Sequence, residues 1–144
     1  MEWKTNAGKR AFDYHNSGFH CAEAVSKTIV EIYGKNGKNR YRPNVATAFG
    51  GGVGISKQEI CGAMVGGLIA LGHLFGRSEP GADWANLQKL SEKLRNEFIR
   101  SYGTTNCGSL LAKFGPQENM MRCKQLSGEV AELLTKIIKE ADRI

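Results

Sequence analysis

Apolar residues recur along most of the chain at the three- and four-residue spacing of an amphipathic α-helix. In the C-terminal segment, the apolar positions from Val130 to Ile138 all fall on one helical face. No stretch alternates apolar and polar residues for long enough to predict a β-strand. The pattern therefore predicts an all-α protein, a compact multi-helix bundle with short glycine-terminated connections. The predicted helices span residues 4–15, 20–33, 43–49, 56–75, 83–102, 106–114, 116–126 and 128–143.

Glycines mark four of the predicted helix ends. Each follows an aromatic residue, and glycine readily takes the left-handed conformation that often ends a helix. Helix starts are predicted at Pro43, Pro116 and Ser127, and at residues 56–59, where the sequence SKQE predicts a capping box. The four aromatic–glycine pairs are Tyr33-Gly34, Phe75-Gly76, Tyr102-Gly103 and Phe114-Gly115.

The length of 144 residues predicts a single domain spanning residues 1–144. Hydrophobic residues make up 41% of the chain and charged residues 24%, as in ordinary globular proteins. The polar N-terminal segment lacks the pattern of a secretory signal, which predicts a cytoplasmic protein with reduced thiols. The apolar run at residues 60–75 is shorter than the roughly 20 residues of a membrane span. It is interpreted as the buried central helix of the bundle, and no membrane span is expected.

The net charge of +6 is concentrated in the loop at residues 34–42, which holds four basic residues and no acidic one. A basic loop can meet nucleic acid or another anionic partner. No nucleic-acid-binding motif accompanies this loop, so it is interpreted as a solvated connection. Nucleic acid is therefore not expected as a partner.

The stretch FGGGVGISKQEICGAMVGG, residues 49–67, runs from a cluster of glycines into a cysteine. It lacks the spacing of a phosphate-binding loop and follows no predicted strand, so no nucleotide site is indicated. Gly62 and Gly66 lie about one helical turn apart and would let a neighbouring backbone or a bound group approach closely. Cys61 lies beside this glycine face, which favours a functional thiol here. The glycine-rich helix surface would also suit a homodimer.

The chain contains four cysteines with no C-x-x-C pair among them: Cys21, Cys61, Cys107 and Cys123. This spacing excludes a thioredoxin-type motif and the common zinc ribbon. Three of the cysteines lie near predicted helix starts, where backbone amides and the helix dipole favour a thiolate. The effect fades within a turn. It should therefore be strongest at Cys107, behind a Thr104 or Thr105 cap, and weakest at Cys61.

The segment CGAMVG, residues 61–66, forms a C-G-A-x-x-G motif, preceded by the cysteine of an FHCAEAV helix and followed by two further cysteines. With this combination the chain resembles the C_GCAxxG_C_C family of redox-active proteins, from about Phe19 to the final helix. The resemblance implies that the family's cysteines correspond to Cys21, Cys61, Cys107 and Cys123, and its glycine motif to Gly62, Ala63 and Gly66.

Three functions fit these observations. In the first, the cysteines exchange disulfides with a redox partner protein or a small thiol, Cys107 attacking and Cys61 acting as its partner. This would make the protein a thiol-based oxidoreductase. In the second, all four thiolates bind zinc or an iron–sulfur cluster from separate helices. In the third, the cysteines are buried structural residues of a non-catalytic helical interaction module.

The three histidines receive different interpretations. His20, next to Cys21, could shuttle protons or bind a metal. His73 is interpreted as a hydrogen-bonded core residue, and His15 as a helix-end residue without a special role.

Overall fold

The computed structural model describes residues 2–35, 37–38 and 40–141. Within these ranges the chain is all-α, with six α-helices, one 3-10 helix and an isolated β-bridge. The predicted fold class is confirmed. The α-helices are α1 (Asn6–Asn16), α2 (Cys21–Tyr33), α3 (Gly62–Phe75), α4 (Ala85–Tyr102), α5 (Cys107–Phe114) and α6 (Met121–Ala141), and the 3-10 helix is Pro43–Phe49.

Helix α3 lies at the centre of the bundle, as the apolar run predicts. It packs against α2, α4 and α6, and Ala70 and Leu71 on it are completely buried. A β-carbon at Gly66 would collide with the backbone of Ala22, so α2 and α3 cross in direct backbone contact. The close approach predicted for this glycine is therefore confirmed. Across the described part of the chain, no helix combines the length and apolarity that crossing a membrane requires.

All four aromatic–glycine pairs end a helix, as predicted, but they do so in different conformations. Gly103 has a φ of 80°, in the left-handed region, and its N–H donates to the carbonyl of Ile99 over 2.7 Å. Gly34 and Gly76 have φ values of −69° and −73°, so the left-handed argument does not apply to them. A side chain at Gly76 would instead collide with the carbonyl of Gly72.

The helix start predicted at Ser56 is wrong. Ile55 and Lys57 have positive φ values of 61° and 63°, which a right-handed helix does not allow, and α3 begins only at Gly62. The Ser56 hydroxyl donates to the carbonyl of Gly52 within the loop. The capping box therefore does not form, and Cys61 lies immediately before α3 instead of in its second turn.

The helix break predicted near Ser127 is also wrong. Helix α6 continues through this residue, which is completely buried. Its hydroxyl lies 2.9 Å from Nδ1 of His15, so a side chain interpreted as a helix cap instead connects α6 to α1. Pro116 precedes α6 in a turn and does not begin a helix.

Candidate functional site

The four cysteines lie at the N-terminal ends of four different helices. Cys21 and Cys107 are the first residues of α2 and α5, Cys61 directly precedes α3, and Cys123 is in the first turn of α6. All four line one cavity of about 300 Å³, and none is in a disulfide. The fold thus brings together all four cysteines that the sequence singled out.

Two glycines, which have no side chain, allow Cys21 and Cys107 to lie close to the neighbouring backbone. The sulfur of Cys21 lies where a β-carbon of residue 62 would be, so only glycine fits there. A β-carbon at Gly52 would come within 2.6 Å of the β-carbon of Cys107. Gly62 lines the cavity and Gly66 does not, so of the two glycines predicted to receive a bound group only Gly62 reaches it.

The glycine run forms one wall of the cavity as a left-handed turn. The five consecutive residues 51–55 have φ values between 59° and 70°, although Val53 and Ile55 carry β-branched side chains. The N–H of Gly51 faces the sulfur of Cys21 and favours its thiolate. The glycines therefore permit a tight backbone path beside a thiol.

A short antiparallel bridge holds the starts of α3 and α5 side by side. The N–H of Cys61 donates to the carbonyl of Thr105 over 2.7 Å, and the N–H of Cys107 donates to the carbonyl of Glu59 over 2.8 Å. The side chain of Asn106 accepts from the N–H of Ser109 and caps α5, so the cap predicted at Thr104 or Thr105 lies one or two residues further along. This bridge fixes the position of Cys61 relative to Cys107.

Burial controls the acidity of these thiols. It raises the pKa of Cys21 and Cys107 above the ordinary value and that of Cys61 to about 12. At Cys61 the N–H groups of Ala63 and Met64 face the sulfur and oppose this rise only in part. The expectation that helix starts would favour thiolates is thus outweighed by desolvation.

The four cysteines differ in burial, and neighbouring thiolates raise the pKa of three of them. After burial, the neighbouring thiolate that most raises the pKa of Cys61 is Cys21. The corresponding neighbour of Cys21 is Cys107, and that of Cys107 is Cys123. Cys61 is only 6% exposed, whereas the other three are partly exposed. The cavity therefore has a buried end at Cys61 and an accessible end at Cys107 and Cys123.

Gln117 makes two hydrogen bonds to Cys123. Its Oε1 accepts from the N–H of Cys123 over 2.9 Å, and its Nε2 donates to the sulfur over 3.3 Å. At the same end of the cavity, Lys57 lowers the pKa of Cys107, opposing the effect of burial. These polar contacts were not predicted, because Gln117 belongs to no recognisable motif and Lys57 lies in a segment that was expected to begin a helix.

His15 also lines the cavity, contrary to the interpretation of this residue as unremarkable. Burial, with contributions from Lys124 and His20, lowers its pKa to about 4, so the ring is neutral at physiological pH. His20 also lines the cavity, and its Nδ1 lies 3.1 Å from the carbonyl of Thr47, while its role as a proton shuttle or ligand stays a prediction. Sequence alone could not reveal His15, since it reaches the site through the packing of α1 on α6.

His73 lies away from the cavity. Its Nε2 is 2.6 Å from the carbonyl of Lys38, and its ring packs edge-on against Tyr41. The hydrogen bond predicted for this histidine is confirmed, although the side chain is only partly buried.

The metal-binding alternative requires several ligands to converge on one point. Among the residues described, no three His, Cys, Asp or Glu side chains are grouped closely enough to hold a metal ion. Four thiolates around one zinc ion would therefore require movement of the cysteine side chains. Zinc or iron–sulfur binding stays a prediction.

Comparison with known proteins gives one match. A family model described as "Putative redox-active protein (C_GCAxxG_C_C)" matches residues 19–137, which include all four cysteines and α2 to α5 in full. Neither the curated proteins nor the solved structures gave a match.

Proposed function

The chain belongs to the C_GCAxxG_C_C family, and on this premise we propose that its cysteines carry out thiol–disulfide exchange in the cavity. The observation that carries the proposal is the convergence of all four cysteines on one cavity from four separate helices. Convergence of this kind is expected of thiols that react together, whereas structural cysteines can be buried separately. A neighbouring thiolate would raise the pKa of Cys21, Cys61 and Cys107, as expected for thiols that share one cavity.

Cys107 is proposed as the attacking residue. It is partly exposed and lies at the accessible end of the cavity, and the nearby ammonium of Lys57 favours its thiolate. Cys61 is a poorer attacker, because its burial and its pKa of about 12 leave very little thiolate at neutral pH.

Cys123 is proposed to complete the reaction. In the first step the Cys107 thiolate attacks a disulfide R–S–S–R, forms Cys107–S–S–R and releases R–S⁻, which takes up the proton that Cys107 lost. Cys123 then attacks the sulfur of Cys107 as a thiolate, forms the Cys107–Cys123 disulfide and releases the second R–S⁻, which is protonated in turn. Two electrons pass from the protein to the external disulfide. The sequence predicts Cys61 in this second role, but Cys61 is buried, whereas Cys123 is partly exposed like Cys107, and this exposure favours Cys123.

Peptide mapping after oxidation tests the assignment. The reduced protein is mixed with a small disulfide, its remaining thiols are blocked, and its peptides are identified by mass spectrometry without reduction. We expect a Cys107–Cys123 linkage in the wild type and a trapped mixed disulfide on Cys107 in Cys123→Ser. Cys107→Ser should lose the fast reaction, whereas Cys61→Ser should keep the linkage. A linkage of Cys107 to Cys61 would instead support the partner predicted from the sequence.

Two results would contradict thiol exchange itself. One is a folded protein whose four thiols resist the disulfide while all four react after unfolding. The other is one metal ion per chain in an anaerobic preparation, lost in every Cys→Ser variant, which would favour the zinc or iron–sulfur alternative.

A further inference from the structure

The cavity that holds the cysteines has mostly apolar walls. Helix α5 contributes a row of apolar side chains, and α6 and the left-handed turn contribute further apolar residues. Ile55 and Met120 line the cavity and are 65% and 45% exposed, so they mark its opening to solvent. The apolar lining consists chiefly of Ile55, Leu110, Leu111, Phe114, Met120 and Leu126. A cavity of about 300 Å³ with such walls has the size and character of a small-molecule site.

Few charged side chains line the same cavity. Among the described residues that line it, Lys57 is the only one with a permanent charge, and no carboxylate lines it. The imidazole of His15 is kept neutral, since burial lowers its pKa to about 4. A ligand with two carboxylates would therefore lose hydration and find one cationic side chain in return, besides the backbone N–H groups at the helix starts.

From this lining we propose that the cavity accepts small, uncharged, largely apolar organic disulfides and thiols, and discriminates against anionic ones. The inference rests on the proposed exchange reaction and names its substrate class. The uncharged disulfide R–S–S–R enters between the apolar side chains, receives two electrons from Cys107 and Cys123, and leaves as two R–SH molecules. The protein is left with one disulfide, and the reverse reaction oxidises two R–SH.

The overall charge of the protein predicts the opposite preference. A net charge of +6 attracts anionic reagents through long-range electrostatics. Selection of uncharged disulfides would therefore have to come from the cavity and not from the protein surface. Because the net charge and the cavity lining predict opposite preferences, the inference can be tested with the wild-type protein alone.

Two aromatic disulfides provide matched probes. Dithiodipyridine is uncharged at neutral pH, and dithiobis(nitrobenzoate) carries two carboxylates. The rate of thiol modification by each is measured by absorbance, in the folded protein and in denaturant at the same pH. The ratio of the two rates in denaturant gives the intrinsic reactivity of the reagents. We expect the rate with dithiodipyridine, divided by the rate with dithiobis(nitrobenzoate), to be at least roughly tenfold higher in the folded protein than in denaturant.

The outcomes separate this inference from the exchange reaction on which it rests. An equal ratio in the folded and unfolded protein, or one that favours the anion, overturns the selection of uncharged substrates and leaves exchange intact. Failure of both reagents to modify the folded protein overturns exchange itself.

A cavity-filling variant locates the effect. Leu111→Trp would fill part of the cavity and should move the ratio towards its unfolded value. Leu133→Trp, a matched change at a partly buried leucine of α6 outside the cavity, should leave the ratio unchanged. Circular dichroism confirms that each variant is folded. If Leu111→Trp does not fold, the comparison of folded and unfolded wild type still decides the question.

Discussion

The sulfur of Cys21 lies against the α-carbon of Gly62, in the space where any other residue would place its β-carbon. The carbonyl of Phe49 closes the same space from another side, 3.0 Å from that position. Gly62 follows Cys61 directly, so this contact brings the starts of α2 and α3 together at the cavity. Gly62, the first glycine of the C-G-A-x-x-G motif, is thus required because the thiol of Cys21 on α2 occupies the space of a β-carbon.

Gly62→Ala should destabilise the protein and disturb the site. The new methyl group would displace Cys21, and overpacking of this kind costs about 1–3 kcal/mol. Gly72→Ala is the matched control on α3, because nothing lies within 4 Å of its β-carbon position. It should stabilise the protein by about 0.5–1 kcal/mol through helix propensity. Urea unfolding measures both changes, and equal effects would contradict the packing argument.

His15 should make stability depend on pH between about 4 and 6.5. Its pKa is lowered to about 4 in the folded protein, so the unfolded chain binds the proton more tightly. The neutral His15 therefore contributes about 3 kcal/mol to the free energy of unfolding above pH 6.5, and this contribution is lost as the pH falls towards 4. Urea unfolding across this range measures the loss.

Two variants identify the titrating group. His15→Asn cannot titrate and should flatten this part of the profile, while acidic groups titrate in both proteins and cancel in the difference. Ser127→Ala removes the partner of His15 but keeps the imidazole, so most of the slope should remain. An unchanged slope in His15→Asn would assign the effect to another group.

Gln117→Glu should slow the modification of Cys123. The carboxylate can still accept from the N–H of Cys123, but its second oxygen would replace the N–H donor that now faces the sulfur. Repulsion should reduce the thiolate and slow alkylation by iodoacetamide roughly threefold to tenfold. Gln125→Glu introduces the same charge two residues beyond Cys123 and is the control. Peptide mapping by mass spectrometry assigns the rate to this cysteine.

Val53→Gly should stabilise the protein. Val53 has a φ of 69° and is 41% exposed, so relief of the left-handed strain outweighs the little burial that is lost. We expect a gain of about 1 kcal/mol in the free energy of unfolding, after the greater freedom of glycine in the unfolded chain is included. Val45→Gly, at a 57% exposed valine in the 3-10 helix, should instead lower stability by a similar amount. Thermal unfolding of both variants checks the difference in sign.

The features predicted correctly are those that depend on local chemistry. The aromatic–glycine pairs end helices because glycine has a low helix propensity and follows a partly buried aromatic residue in each case, and the apolar run of α3 is too hydrophobic for an exposed helix. The left-handed turn was not predictable, since glycines permit such a path without requiring it, and Val53 and Ile55 argue against it. Ser56 and Ser127 mimic helix caps in sequence, but their hydroxyl groups serve a loop and an interhelical contact.

The candidate site was predictable in its cysteines and not in its surroundings. Four cysteines that accompany a glycine motif indicate a shared functional site, although their spacing in the sequence does not show that they meet in the fold. The acidity of the cysteines at helix starts was overestimated, because the effect of a helix start can be read from sequence but the depth of burial cannot. His15 and Ser127 are 112 residues apart and meet only because α1 packs on α6.

Because each cysteine begins a different helix, oxidation of any two would also cross-link the chain. Even the closest pair in sequence, Cys107 and Cys123, would enclose a loop long enough to stabilise the fold by about 3 kcal/mol through restriction of the denatured chain. By thermodynamic linkage, the folded chain favours disulfide formation to the same degree that the disulfide favours folding. A reducing environment would therefore leave this molecule easier to melt, and its melting temperature would report on its redox state.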